Sequence, residues 1–283
     1  MLDKKRTQTF IFGLFALVTI LVSVISIAVV FYVLINGIGI LSWQFLTDIP
    51  RDGMQAGGIF PAIVGTLILI LGSGLVAFPV GILAGIFMNE YAQENAFKRF
   101  VRLMTNNLAG VPSIVFGLFG MAFFVNGLGF GVSILSGCLT LGILILPIVI
   151  RTTEESLKFI GQDYRLASYA LGASKWQTIW KVILPAALPG IVTGLVLSIG
   201  RIAGETAAIL FTVAAYFLPR NPSSVYDEVM ALPYHLYVIT TSGTDIAAAR
   251  PYADGTALVL LLIVLILNIS ANIFKKRFSV TQK

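Results

Sequence analysis

Long apolar runs separated by short polar segments dominate the hydrophobic pattern of this chain. About 20 consecutive apolar residues allow a helix to cross a bilayer, and a helix satisfies its own backbone polar groups in lipid. Six runs fit this criterion: 10–40, 59–88, 103–125, 132–150, 183–217 and 255–274. The pattern predicts an all-α membrane protein with six transmembrane helices. Residues 10–277 form its membrane domain, between a short N-terminal segment, 1–9, and a tail, 278–283.

Two of the six runs show signs of irregular geometry. The fifth run, 183–217, would extend about 52 Å as one helix, whereas the hydrocarbon core of a bilayer is about 30 Å thick. We therefore expect it to extend beyond the bilayer or to break near Gly200 or Gly204. In the third run, Pro112 lacks a backbone donor and Ser113 can bond to carbonyls that it frees, which predicts a pore-lining bend.

Positive charge is distributed unevenly between the two ends of the predicted spans. Six spans place both termini on one side, and that side receives fifteen of the 19 Lys and Arg residues, including those of the polar loop 151–182. Only Arg51, Arg220 and Arg250 lie opposite, while Arg201 falls inside a span. Because cytoplasmic segments are enriched in Lys and Arg, we predict that both termini and the loop are cytoplasmic. The net charge of +6 therefore does not indicate nucleic acid.

Composition supports a membrane protein and gives little support to an enzyme. With 57% hydrophobic and 11% charged residues, the chain is unlike soluble globular domains. Cys138 is the single cysteine, which excludes an internal disulfide, and His235 is the single histidine. The sequence contains no zinc-protease, serine-hydrolase or phosphate-loop motif. We expect no catalysis, no metal and no cofactor in this chain.

The polar loop 151–182 has the sequence of a compact docking element. Residues 166–171 favour a short helix, Gly172 can adopt the left-handed conformation that ends a helix, and residues 174–182 favour a second short helix. Small side chains around Gly172 would let another protein approach the backbone closely. The alternative is an amphipathic loop that lies on the lipid surface.

The fifth run carries a pair of opposite charges. Arg201 and Glu205 are separated by four residues, so a continuous helix would place them on one face. The same face would carry Ser198, Ala208 and Thr212. An arginine at membrane depth is costly unless it is paired or faces water. It can be a structural ion pair, or an anion site in which the planar guanidinium binds a tetrahedral oxyanion.

The spacing of the loop resembles a known family motif. The distances from Leu184-Pro185 back to Gly172 and Ala167 are similar to those of the EAA loop in membrane subunits of bacterial ATP-binding-cassette importers. In that family the loop is a coupling helix that sits in a groove of the ATPase subunit. Leu166 stands where the motif has Glu, and Val182 stands where it has Ile. The resemblance implies the type I importer permease fold with a cytoplasmic coupling helix.

Seven residues match the coupling motif or adjoin it. These predicted ATPase contacts are Arg165, Leu166, Ala167, Ser168, Gly172, Leu184 and Pro185.

Three further segments narrow the resemblance to phosphate-specific importers of the PstA type. Residues 199–208 resemble the GRAIGETAA-type signature of these permeases, and residues 57–66 and 109–117 are also similar to them. The resemblance implies that Arg201 and Glu205 belong to the translocation pathway. We add three hydroxyl residues to this predicted substrate pathway: Ser198, Thr212 and Ser113.

The resemblance also implies a set of partners in a bacterial inner membrane. They are a PstC-like permease, two PstB-like ATPases that hold ATP and Mg²⁺, and a PstS-like phosphate-binding protein. Two alternatives remain open. An importer for sulfate, molybdate or amino acids would share the coupling loop. An ion-coupled secondary transporter commonly shows inverted repeats, and the two halves of this chain show no convincing repeat.

Overall fold

The chain is almost entirely helical in the computed structural model, which describes residues 4–54, 56–242 and 246–278. The helices are α1 (Lys4–Gly37), α2 (Trp43–Thr47), α3 (Phe60–Ile86), α4 (Ala96–Ala109), α5 (Ser113–Gly120), α6 (Ile134–Lys158), α7 (Gln162–Ala170), α8 (Lys175–Thr178), α9 (Leu184–Ala203), α10 (Leu232–Thr241) and α11 (Ile246–Phe278). Two short antiparallel strands, β1 (Pro50–Arg51) and β2 (Ala56–Gly57), pair in the first loop. The all-α prediction is confirmed.

Three π-helical segments lengthen the helices that they adjoin. They are Phe87–Tyr91 after α3, Met121–Gly127 after α5, and Ile179–Ile183 between α8 and α9. Such segments are rare and often occur at functional sites. With these extensions, five continuous helices in the described chain are long and apolar enough to cross a membrane: Thr7–Ile40, Phe60–Tyr91, Ile134–Lys158, Lys175–Ala203 and Ile246–Ile273.

A sixth candidate span is a bent pair of helices. The predicted third span, 103–125, contains the predicted bend, because α4 and the helix Ser113–Gly127 meet at an angle of 103°. α4 ends at a Gly110 C-cap and Pro112 is the N-cap of α5. Pro112 cannot donate a backbone hydrogen bond, so the helix breaks at the proline as the sequence predicted.

The predicted fifth span, 183–217, breaks at Gly204, one of the two positions that the sequence predicted, so its helical part is shorter than the apolar run. α9 ends at Ala203 with Gly204 as its C-cap, and residues 204–217 are turns rather than helix. Their apolar side chains are buried inside the protein: Ala208, Ile209 and Val213 are at most 1% exposed. Hydropathy predicted a longer span because lipid and the protein interior favour the same residues.

Other predicted boundaries shift by several residues. α6 continues past residue 150 to Lys158, and α11 begins at Ile246 rather than at 255. The predicted loop 151–182 therefore contains the last turns of α6. The polar segment before the last span is not an open loop, since it contains α10, in which His235 is 2% exposed.

The core lies where α3, α6 and α9 pack together. Leu141, Leu144 and Ile145 of α6 are at most 1% exposed and form its centre. At Gly81 and Gly85 of α3, a Cβ atom would lie within 2.6 Å of side chains of α6. The absence of side chains there lets the two helix backbones approach closely, as small residues do between membrane helices.

Candidate functional site

Two of the three segments that the sequence singled out, 57–66 and 199–208, line one small cleft, and the third, 109–117, packs against the second. A Cβ atom at Gly117 would lie 2.8 Å from the Ala207 carbonyl oxygen, so α5 packs directly on the turn that follows α9. From α3, the Thr66 hydroxyl accepts a hydrogen bond from the Leu232 amide at 2.8 Å. Seven residues line the cleft between these elements: Thr66, Leu69, Ile202, Glu205, Ile209, Ala231 and Pro233.

The structure brings Arg201 and Glu205 to the same end of α9, but not as the sequence predicted. α9 ends between them, so the prediction of one shared helical face is wrong. Glu205 Oε1 instead accepts a hydrogen bond from the Ala208 amide at 3.2 Å and caps the following turn. Among the described residues, no carboxylate lies within ion-pair distance of Arg201, so the predicted ion pair is absent. Arg201 is half-buried in the last turn of α9.

The three predicted hydroxyl residues differ in their surroundings. Ser198 and Thr212 are fully buried, and their hydroxyls donate to the carbonyls of Gly194 at 2.9 Å and Ala208 at 3.0 Å. Neither therefore has a donor left for a solute in this arrangement. Ser113 is half-buried at the first position of α5. Their part in a pathway stays a prediction.

The cleft also includes residues that the sequence analysis did not assign to a site. Thr66, Leu69, Ile209 and Ala231 come from three separate parts of the chain. Residues 57–66 had been noted only for their resemblance to a family motif. Their position beside Glu205 depends on tertiary packing, and no local pattern predicts it.

The polar loop folds as the predicted helix-turn-helix element. α7 ends with Gly172 at a φ of +80°, a left-handed conformation that glycine adopts without strain. The Ala173 amide donates to the Ser168 carbonyl across this turn. Ser174 then begins α8 with a reciprocal capping box to Gln177.

Several large apolar side chains of this element are exposed. We call the surface that they form the coupling surface, and it consists of five side chains of α7, α8 and the turn: Tyr164, Leu166, Tyr169, Leu171 and Trp176. Leu171 is 89% exposed and Leu166 is 62% exposed. Exposed apolar patches of this kind mark sites of protein association. Ala167 and Pro185 are also exposed, and Leu184 is half-buried at the start of α9.

Arg165 and Ser168 face inwards, so their predicted direct contact with an ATPase is not supported by the geometry. Arg165 Nη2 lies 2.5 Å from Glu90 Oε1, at the end of the α3 span, and both side chains are at most 12% exposed. Ser168 is 8% exposed, and its hydroxyl lies 2.8 Å from that of Thr178 on α8. The sequence carried no signal for these contacts, because they join residues of different helices.

Comparisons with known proteins agree with this architecture. The family described as "Binding-protein-dependent transport system inner membrane component" matches residues 77–280. The chain is 34% identical over 282 residues to the "Probable ABC transporter permease protein YqgI" of Bacillus subtilis, with 95% of each chain covered. It is 36% identical over 272 residues to the "Phosphate transport system permease protein PstA" of Yersinia pestis, which covers 95% of this chain and 87% of that one.

Solved structures of ABC transporters share the fold. A chain of the bacterial alginate ABC transporter, in complex with its alginate-bound periplasmic protein, matches with a TM-score of 0.69 and 16% identity, and the match covers 98% of each chain. A chain of the inward-facing MetNI methionine ABC transporter matches with a TM-score of 0.62 and 18% identity over 77% of this chain and 94% of that one. At these identities the similarity establishes the fold, which is that of an ABC importer permease.

Proposed function

Because this chain belongs to the family of binding-protein-dependent transport system inner membrane components, we propose that it is the permease subunit of an ATP-driven phosphate importer. The main support is its similarity, over most of its length, to proteins named phosphate transport system permease PstA. The segment 199–208 that resembles the phosphate permease signature lies against α5 and the small cleft, which is consistent with a solute pathway.

Arg201 is the proposed contact for phosphate. Arg201 is a half-buried residue in an apolar helix, and no carboxylate of the described residues lies within ion-pair distance of it. A planar guanidinium can donate two parallel hydrogen bonds to a phosphate. Glu205 orders the turn beside it through the Ala208 amide. Ser113, Ser198 and Thr212 complete the proposed pathway, the last two after a change in their hydroxyl partners.

The coupling surface is the proposed docking site for the ATPase. Leu166 lies on α7 and Leu171 is its C-cap, so both exposed side chains are presented by a folded helix and can enter a groove of a partner without first ordering a loop. We propose two PstB-like ATPases that bind ATP and Mg²⁺, a PstC-like permease that completes the pathway, and a PstS-like protein that delivers phosphate. In this proposal the chain itself is not an enzyme and holds no cofactor. Its termini and coupling surface face the cytoplasm of a bacterium.

Alternating access is the proposed mechanism. ATP binding closes the ATPase dimer and moves the coupling surface, which opens the pathway towards the binding protein, and hydrolysis reverses the movement. Arg201 needs to bind phosphate only weakly, because a transport site must also release its solute.

Uptake measurements with Arg201→Gln test this proposal. We expect the complete transporter in proteoliposomes to show ATP-dependent phosphate uptake that sulfate does not inhibit. Arg201→Gln should lower phosphate uptake by about tenfold or more, since a hydrogen bond to a charged group contributes about 1.5–3 kcal/mol, while the subunits still co-purify. Arg151→Gln is the matched control, because Arg151 is exposed and its one ion-pair partner among the described residues is the exposed Glu155.

Each other outcome has a distinct meaning. Uptake of sulfate, molybdate or an amino acid in place of phosphate would reassign the solute. Uptake driven by an ion gradient without ATP would contradict the ABC mechanism for this chain. Normal phosphate uptake by Arg201→Gln would leave Arg201 with a structural role only.

A further inference from the structure

Two cationic side chains join the coupling helices to the end of α3. Arg165 of α7 contacts Glu90, and Lys175 of α8 contacts the next residue, Tyr91. Glu90 and Tyr91 are the last residues of the π-helical segment that ends the α3 span. Both coupling helices therefore contact the same turn.

Arg165 forms most of this connection. Its Nη2 and Nε atoms donate to the two carboxylate oxygens of Glu90 at 2.5 and 3.4 Å. Nη1 also donates to the Ile160 carbonyl at 2.7 Å, and Nη2 to the Leu157 carbonyl at 3.2 Å. One side chain thus ties α7 to the ends of α3 and α6. The Glu90 side chain is 6% exposed, so solvent screens this ion pair less than it screens a surface pair.

Lys175 provides a second and weaker connection. Its ammonium nitrogen lies 4.5 Å from the centroid of the Tyr91 ring, within the range of a cation–π interaction. Because α7 and α8 are also joined through Ser168 and Thr178, the two helices and the end of α3 form one connected unit.

α3 extends from this unit to the cleft. Thr66 and Leu69, near its other end, line the cleft together with Glu205. The 24 residue steps from Thr66 to Glu90 correspond to about 36 Å of helix. Between these ends, α3 contains Pro79, and Gly81 and Gly85 pack closely on α6, so a displacement at Glu90 passes towards the cleft through α3 and α6 together.

We propose that Arg165 and Lys175 are positioning residues that fix the coupling helices to α3, so that a displacement of the coupling surface moves the cleft wall formed by Thr66 and Leu69. The inference rests on the proposed function, since it assigns a route by which the ATPase controls the pathway. It concerns contacts of Arg165 and Lys175 within this chain, and these two residues themselves bind neither the ATPase nor the solute. A two-state element that both sites bias is the physical requirement for such coupling.

The ratio of ATP hydrolysed to phosphate transported tests the inference. The complete transporter is reconstituted in proteoliposomes, and both rates are measured with the phosphate-binding protein present. We expect Arg165→Gln to retain its ATPase subunits but to raise this ratio by about 3- to 30-fold, the effect of losing a typical coupling energy. The double variant Glu90→Arg with Arg165→Glu should restore part of the coupling, and Arg151→Gln should leave the ratio unchanged.

The outcomes separate this inference from the proposed function. If the unmodified transporter carries no phosphate, the proposed function fails. If it transports phosphate and Arg165→Gln keeps the same ratio, the inference is overturned. If Arg165→Gln does not assemble, Lys175→Met decides: a ratio raised by about twofold or more supports the inference, and an unchanged ratio overturns it.

Discussion

Two arginines of this chain occupy opposite electrostatic surroundings. The guanidinium of Arg165 has a carboxylate partner and three backbone carbonyl partners. Arg201 lies half-buried at the end of α9, and no carboxylate of the described residues pairs with it. A charge whose hydrogen bonds are already satisfied within the chain is suited to holding helices together. A charge that lacks such partners is suited to binding an anion.

The Glu90 carboxylate should matter more for stability than an exposed carboxylate in a similar ion pair. Glu90→Gln leaves the nearly buried Arg165 without its anion, although its hydrogen bonds to three backbone carbonyls remain. We expect the free energy of unfolding in detergent to fall by about 1–3 kcal/mol, measured as a lower midpoint of thermal unfolding. Glu155→Gln removes an ion pair in which both side chains are at least 52% exposed. This variant should change the free energy of unfolding by less than about 1 kcal/mol. Equal changes in the free energy of unfolding for the two variants would contradict a stabilising role of the Glu90–Arg165 pair.

The sequence predicted Arg201 and Glu205 as site residues, but not their geometry. Their four-residue spacing places them on one face only while the helix continues, and α9 ends at Ala203. The contacts of Arg165 were not predictable for a different reason. They join residues 75 positions apart, and neither hydropathy nor spacing carries information about such pairs. The resemblance to the EAA loop gave the position of the coupling helices, while tertiary packing decides which of their side chains face outwards.

At the scale of elements, α5 packs directly on the turn after α9, which carries Glu205 of the proposed pathway. This packing depends on a glycine whose missing side chain leaves room for backbone atoms. A Cβ atom at Gly117 would lie 2.8 Å from the Ala207 oxygen and 3.1 Å from Ala208 Cα. Backbone atoms cannot rotate away as a flexible side chain can, so a larger residue must displace α5 or the turn.

Gly117→Ala should therefore impair transport, even though it adds only one methyl group. We expect phosphate uptake to fall by about fivefold or more, because overpacking of this kind typically costs about 1–3 kcal/mol and acts beside Glu205. The measurement is ATP-dependent uptake, with subunit co-purification as a check on assembly. Gly13→Ala is the matched control, since nothing lies within 4 Å of a Cβ atom at Gly13. Unimpaired uptake by Gly117→Ala would show that α5 can move without consequence.

Hydropathy predicted the elements well where they face lipid and poorly where they fold back into the protein. The runs at α1 and α3 match helices that cross a membrane by length and composition. Residues 204–217 are equally apolar but contribute Ala208, Ile209 and Val213 to the protein core. The segment that contains α10 appeared polar because it contains several prolines. Its side chains at Leu232, Val238 and Ile239 are nonetheless at most 2% exposed.

For the whole molecule, the distribution of exposed apolar surface indicates an assembly within a membrane. The 18-residue window that marks α1 as a span has no buried residue, so this helix is available to lipid or to another subunit. The coupling surface is also apolar, but it belongs to a polar and positively charged part of the chain. Contact with lipid explains the exposed apolar residues of α1. Contact with a protein partner better explains those of the coupling surface.

The single cysteine makes the orientation of this assembly testable. Cys138 is 6% exposed and packs against Gly72, so a membrane-impermeant maleimide should not label the unmodified chain. A cysteine introduced at an exposed position is then labelled only from the side of the membrane on which it lies. We expect Leu171→Cys to react only after intact cells are permeabilised, because the positive-inside rule predicts that the coupling surface faces the cytoplasm. Asn221→Cys, beyond the other end of α9, should react in intact cells.

Labelling in inverted vesicles extends the same experiment to the ATPase contact. There Leu171→Cys should react quickly when the ATPase subunits have been removed and slowly when they are bound, because docking would bury a side chain that is 89% exposed in this chain. Asn221→Cys should remain unreactive in both preparations unless the vesicles are opened. Reaction of both cysteines from the same side would contradict the predicted topology. Protection of Leu171→Cys that persists without the ATPase would instead assign the coupling surface to lipid.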